Sequence, residues 1–220
     1  MIPASEIRIW LRLSYLADEM STLNDLYREI AACQRCTLHK TATRPVPGEG
    51  PENAKLMFIG EGPGYHEDQL GRPFVGPAGQ LLESLLTSIG LKRDQVYIAN
   101  VVKHRPPNNR DPLPGEIVAC RPWLDRQLQL IKPRIIVTLG RHSMEMCFPG
   151  KSISKIHGTA QRKDGVVYFA MYHPAAALHQ QSLRQDIQAD MLKILPFLKE
   201  LEPAPPKAEA APEPEQLNLF

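Results

Sequence analysis

Residues 56–79 read LMFIGEGPGYHEDQLGRPFVGPAG, and the order of events along this stretch decides the fold class. The apolar run Leu56 to Ile59 has the length and bulk of a buried strand. It breaks at Gly60-Glu61-Gly62-Pro63-Gly64, which is too rich in Gly and Pro for helix or strand. An acidic loop with Glu67 and Asp68 follows, then a tight loop from Gly71 to Gly76 that carries Arg72 and Phe74. A helix is expected from about Pro77, with Leu81, Leu82, Leu85, Leu86 and Ile89 on one face. Strand, Gly-rich turn and helix in succession suit an α/β sheet, whose ligand sites lie at the carboxyl ends of strands. Taken alone, the stretch also suits an ordinary βα connection with loop glycines.

The pattern continues outward. Strands are predicted at Leu56 to Gly60, Val96 to Val102, Ile135 to Leu139 and Val166 to Tyr172. Helices are predicted at Pro77 to Ile89, Pro114 to Ile131, Arg141 to Cys147 and Ala175 to Leu198. This alternation predicts a three-layer αβα domain with a central four-stranded parallel sheet. Residues 4–31 read as helical, with Ser21 or Thr22 capping a break near Met20, and Thr41 to Pro51 read as extended. The expected division is a helical extension over 1–22, a catalytic domain over 23–200, a linker over 201–215 and a terminal peptide over 216–220. The linker is Pro, Ala and Glu without large apolar residues, a composition that predicts disorder.

Composition narrows the classes. With 220 residues and 43% hydrophobic content, the chain suffices for one domain with a sizeable core. A net charge of +2 makes it no bulk polycation, so any nucleic-acid contact depends on local placement of Arg and Lys. No apolar stretch reaches membrane-spanning length, and the start lacks the parts of a signal peptide. A cytoplasmic, nucleoid-associated monomer is expected. Four cysteines in a reducing compartment suit metal binding or core packing better than disulfides.

If the sheet is parallel, three polar side chains meet at one edge. Glu61 follows the first strand, Asn100 ends the second and His173 follows the fourth. With the segments NVVKHRPPNNRDPLPGEIVAC (100–120), PRIIVTLG (133–140) and YHPAAAL (172–178), and the pair Cys33-Gln34-Arg35-Cys36, the chain resembles family 4 of the uracil-DNA glycosylase superfamily. That family comprises iron–sulfur enzymes. The resemblance covers roughly residues 25–198 and implies removal of uracil from DNA without metal in the chemical step.

The residues suit that chemistry. His173 would donate to uracil O2 as negative charge develops there. Asn100 would read the Watson–Crick edge, accepting from N3–H and donating to O4. Phe74 would stack on the extruded base. Glu61 and the Gly62 backbone would position the water. By resemblance, Glu67 lies beside uracil C5 and excludes a methyl group. Relatives often carry Ser where this chain has Ala175, and the backbone N–H groups at that helix start remain for phosphate. A branch that traps uracil DNA covalently carries its His in an inserted basic loop absent here. His157, in Lys155-Ile156-His157-Gly158, reads as a substitute for a DNA-facing Arg or as a structural His.

Cys33, Cys36 and Cys120 match three cluster ligands of the family, and His104 stands where the fourth Cys is expected. The expectation is a [4Fe–4S] cluster on three Cys and His104. Structural zinc on the same set and a labile cluster are the alternatives. Cys147 reads as a core thiol. Arg72, Arg105, Arg110 and Lys103 are candidate DNA-contacting residues, and Leu178 a minor-groove wedge. Gln216, Leu217, Leu219 and Phe220, in QLNLF, resemble a bacterial sliding-clamp docking peptide on a tether. The competing class is a non-catalytic uracil or damaged-DNA binder tethered to the clamp.

Overall fold

The computed structural model describes residues 22–178 and 180–201. Residues 1–21 of the expected extension, 202–215 of the linker and the 216–220 peptide lie outside the described residues. The parallel strands are β1 (Leu56–Gly60), β2 (Tyr97–Asn100), β3 (Ile135–Leu139) and β5 (Val166–Met171). β4 (Ala160–Lys163) is antiparallel to β5, and the sheet order is β2-β1-β3-β5-β4. Helices α1 (Leu23–Ala31), α2 (Tyr65–Leu70), α3 (Pro77–Ser88) and α4 (Pro114–Ile131) come first. After β3 come α5 (Arg141–Glu145), α6 (Ile153–Ile156), α7 (Pro174–Ala177), α8 (Gln181–Leu192) and α9 (Leu195–Lys199).

β1, β2 and β3 are buried throughout because helices cover both faces. Successive side chains alternate between two cores. Leu56 and Phe58 of β1 pack with Leu82, Leu85 and Leu86 of α3 and with Ile187 and Met191 of α8. Met57 and Ile59 face the other way, onto Leu26 and Ile30 of α1 and Trp123 and Leu124 of α4. The five apolar residues expected on one face of α3 are all buried. Thr22 caps α1, accepting from Asp25 N–H at 3.2 Å while Asp25 Oδ2 accepts from Thr22 N–H at 3.1 Å. Segment 41–51 runs beside β2, with Val46 N–H donating to Lys103 O at 2.7 Å and Glu49 bridging Ile98.

Several expectations are corrected. The sheet has five strands, the fifth being β4. β4 is mostly exposed and carries no apolar alternation, so no periodicity marks it. Its signal is Asp164-Gly165, where φ values of 50° and 76° make the tight turn into β5. The acidic loop at Glu67-Asp68 is the helix α2, and both carboxylates are buried. The helix expected over Ala175 to Leu198 is three helices, α7 to α9. The second strand is shorter than Val96 to Val102, spanning Tyr97–Asn100, although Val101 and Val102 N–H still bond Gly60 O and Glu61 O. No described helix is long and apolar enough to cross a membrane.

The β4–β5 turn gives a clean test of backbone cost. A Cβ on Gly165 would meet nothing within 4 Å, so Gly165→Ala is opposed by its positive φ alone. The variant should lose about 1 kcal/mol in urea unfolding. A loss below about 0.3 kcal/mol would contradict the turn assignment.

Candidate functional site

The parallel register brings the carboxyl ends of the strands to one edge. Gly60 pairs with Asn100, and Leu139 with Met171. In the order β2-β1-β3-β5, the strands are added outward from β1 first on one side and then on the other, and the crevice lies at that switch between β1 and β3. A cavity of about 240 Å³ occupies that edge. Glu61, Gly62, Glu67, Phe74, Asn100 and His173 all line it, so the side chains expected to meet do meet.

Each is held differently. Asn100 is 1% exposed, and its Oδ1 is buried without a hydrogen-bond partner among the described residues. Gly60 leaves room for it: a Cβ there would run into Asn100 Oδ1 and lie 2.7 Å from the Phe74 ring. His173 Nδ1 accepts from Ala175 N–H at 3.1 Å, so the neutral ring carries its proton on Nε2. Burial pushes the His173 pKa below its ordinary 6.5, against the pull of the Glu61 and Glu67 carboxylates. Glu61 Oε1 accepts from His142 N–H at 3.1 Å. Gly140 makes that approach possible, since a Cβ there would collide with the carboxylate.

Phe74 lies on the loop between α2 and α3 with φ of 51°, a left-handed conformation unusual for a bulky residue. Its ring faces His173, with centroids 5.5 Å apart and planes at 30°. Two side chains clamp this loop. Glu67 Oε1 accepts from Val75 N–H at 2.9 Å and Gly76 N–H at 2.8 Å, while its Oε2 accepts from Gly64 N–H at 3.1 Å. Glu67 therefore ties the turn after β1 to the Phe74 loop. Arg93 donates to Phe74 O at 2.9 Å and to Pro73 O, and pairs with Glu49 at 3.1 Å. Sequence reading missed Arg93, because a single Arg between a helix and a strand carries no local signal. It also missed Asp111 and His142, whose ligand atoms fall with those of Glu61 within 4.8 Å of one another.

The basic candidates divide. Arg110 lines the cavity and pairs with Glu116 at 2.7 Å. Arg72 pairs with Glu49 at 2.6 Å. Arg105 bonds Asn109 at 2.7 Å and lies over Tyr65, 5.2 Å from the ring centroid. Leu178, capping α7, is 41% exposed. Lys103 is corrected: it is fully buried, far from the surface role expected of it. His157 Nδ1 bonds Asp190 at 2.7 Å and its ring packs on Tyr172, which gives it structural partners.

The three expected cysteine ligands sit on the opposite side of β2 from α3. Cys33 and Cys120 are buried in the core that α1 and α4 share, and Cys36 packs against it. Burial raises the pKa of Cys36 and lifts that of Cys120 to about 11, and the nearby thiols add a smaller push in the same direction. Trp123 Nε1 donates to Cys33 Sγ at 3.1 Å and Lys103 N–H to Cys120 Sγ at 3.2 Å. N–H donors to sulfur are what stabilise metal-bound thiolate. His104 is buried, and burial lowers its pKa toward the neutral, ligating form. These donors fit a thiolate-rich metal group. Cys147 packs instead with Met144 and Phe148, as expected of a core thiol.

Comparison with known proteins agrees with this geometry. Residues 47–199 match the family described as the uracil DNA glycosylase superfamily. A type-4 uracil-DNA glycosylase of Sulfurisphaera tokodaii is 48% identical over 185 residues, covering 80% of this chain and 84% of that protein. One from Archaeoglobus fulgidus is 47% identical, covering 80% and 92%. One from Thermotoga maritima is 42% identical, covering 77% and 91%. By its motifs, its matched span and these relatives, the chain belongs to the uracil-DNA glycosylase superfamily, among the type-4 uracil-DNA glycosylases.

Proposed function

We propose that this protein excises uracil from DNA, hydrolysing the N-glycosidic bond of an extruded deoxyuridine and leaving an abasic site. The observation that carries the reading is Asn100 Oδ1, a buried acceptor without a partner, in a cavity walled by Phe74 and His173. A buried polar atom left unpaired costs on the order of 1–3 kcal/mol, so a ligand N–H is its natural complement. Uracil N3–H supplies that donor. Cytosine presents an acceptor there and would leave Asn100 unpaired.

The remaining roles follow from chemistry. Breaking the N1–C1′ bond leaves its electron pair on the base, spread onto O2, while the sugar gains oxocarbenium character. His173 Nε2–H stabilises the charge on O2 as a neutral donor. Glu61 holds the water and favours the cationic sugar. Phe74 stacks on the base, a contact worth about 1–3 kcal/mol in comparable sites. Glu67 shapes the wall beside C5 through the loops it ties together. Arg72, Arg105 and Arg110 contribute phosphate contacts, and exposed Leu178 fills the gap left in the duplex.

Cys33, Cys36, Cys120 and His104 are the residues to hold a [4Fe–4S] cluster. Bound there, it supplies cross-linking of the N-terminal segment to the 104–120 loop, with no part in the bond cleavage. The C-terminal reading rests on sequence: 201–215 as a tether, and Gln216, Leu217, Leu219 and Phe220 as a clamp-docking peptide.

Three measurements test this. Incubation with a uracil-containing oligonucleotide followed by alkali should cleave the strand. Asn100→Ala and His173→Ala should each lower the rate by roughly 100-fold or more with unchanged thermal midpoints. Wild-type protein that binds the oligonucleotide without cleaving it would favour the non-catalytic binder. The pH profile has a defined sign, because His173 protonates only below its ordinary 6.5. The rate should be flat from about pH 8 to about 6.5 and fall only below that. A half-loss above 6.5 would exclude neutral His173 as the donor. The purified protein should absorb broadly near 400 nm and carry about four irons per chain. Zinc in place of iron would favour the Cys3His zinc site.

A further inference from the structure

Lys103 is among the largest fully buried side chains of the described protein, and neither the excision chemistry nor metal ligation uses it. Its Nζ donates to the main-chain carbonyl of Asn100 at 2.8 Å and to Gln127 Oε1 at 2.6 Å. Gln127 is fixed in turn: its Nε2 donates to Pro47 O at 2.7 Å and to Tyr97 OH at 2.9 Å. Tyr97 OH bonds Tyr27 OH at 2.7 Å. The network thus runs from α1 and α4, through β2, to the peptide of Asn100. Replacing a buried charged group by an apolar side chain of similar volume is often neutral or stabilising, so a buried amine is weak evidence of a purely stabilising role.

We infer that Lys103 is a positioning residue for Asn100, anchoring its main-chain carbonyl to Gln127 and so setting where the carboxamide stands in the cavity. This rests on the proposed excision of uracil. Asn100 Oδ1 is the atom whose place must be set. Without a hydrogen bond of its own, the amide oxygen is not held from the cavity side. Its place must come from the main chain and from packing. Asn100 is the last residue of β2, and the chain turns away there. Val101 and Val102 N–H still bond Gly60 O at 3.0 Å and Glu61 O at 3.2 Å. The Asn100 carbonyl is gripped from below by Nζ. Amine or ammonium, Nζ carries two N–H groups for its two acceptors, so the role does not depend on its charge.

A double-mutant cycle tests this in the metal-loaded, full-length protein. Single-turnover excision is measured for wild type, Lys103→Met, Asn100→Ala and the double variant. Lys103→Met should slow wild type by roughly 10- to 100-fold, the scale of a misplacement near 1 Å. In the Asn100→Ala background it should cost less than about 3-fold, because no carboxamide remains to be placed. Affinity for an oligonucleotide bearing the abasic product, and iron content, should match wild type. Equal losses in both backgrounds would overturn the inference and leave Lys103 a structural residue only. If Lys103→Met does not fold, Lys103→Gln enters the same cycle with the same criterion. An inactive wild-type protein would instead overturn the excision reading, and this inference with it; active wild type with additive losses overturns this inference alone.

Discussion

The pairing of Gly60 with Asn100 in the β1–β2 ladder is the constraint on which the rest depends. Side chains alternate along a strand, so a slip of one residue would turn Asn100 into the core and bring Ala99 to the cavity. The register is protected because β1 divides its residues between two cores, Phe58 to one and Ile59 to the other. A slip would exchange both sets at once. Gly60 is the counterpart of this precision: the carboxamide and the Phe74 ring occupy the space that any side chain at 60 would need. Two further strand ends are then fixed by parallel pairing, and Glu61 and His173 arrive at the same edge.

The two sides of β2 divide the work. On one side the strand ends open into the cavity. On the other, Cys33, Cys36 and Cys120 gather around α1 and α4, under the aromatic cover of Trp123. Arg35 and Arg126 flank that ring at 4.6 and 5.9 Å from its centroid, and Arg126 also pairs with Glu29 of α1. Short α1 therefore has an ion pair to α4 besides apolar burial. That matters because an isolated nine-residue helix is marginal in water. A metal group bridging the N-terminal segment and the 104–120 loop would reinforce the same junction.

Legibility followed the physics of burial. β1, β3 and α4 were readable to the residue, because doubly covered strands and a long helix leave continuous patterns. The meeting of Glu61, Asn100 and His173 was readable because parallel pairing fixes which ends align. β4 was not, since an exposed edge strand has no apolar face to encode. Neither was α2, a six-residue helix stabilised by contacts distant in sequence: Asp68 accepting from Thr43 N–H at 2.8 Å, and Glu67 from Val75 and Gly76. Lys103 was misread for the same reason in reverse. A lysine beside a histidine and an arginine looks like surface, and only the fold supplies the acceptors that let it be buried.

The Phe74 loop shows why such long-range contacts accompany the site. A left-handed φ at a bulky residue costs on the order of 1–3 kcal/mol and persists only where surroundings hold it. Glu67 holds the amides after Phe74, and Arg93 holds its carbonyl. Gly79 permits the closeness, because a Cβ there would penetrate the Phe74 backbone. The ring packs at the edge of the α3 core and at the same time stacks on His173 beside the cavity. Under the proposed function, a platform held through its own main chain can present that ring to a base. The same logic applies to Asn100, whose acceptor stands unpaired. Both groups are fixed from behind, so that their working surfaces need no partner until a ligand arrives.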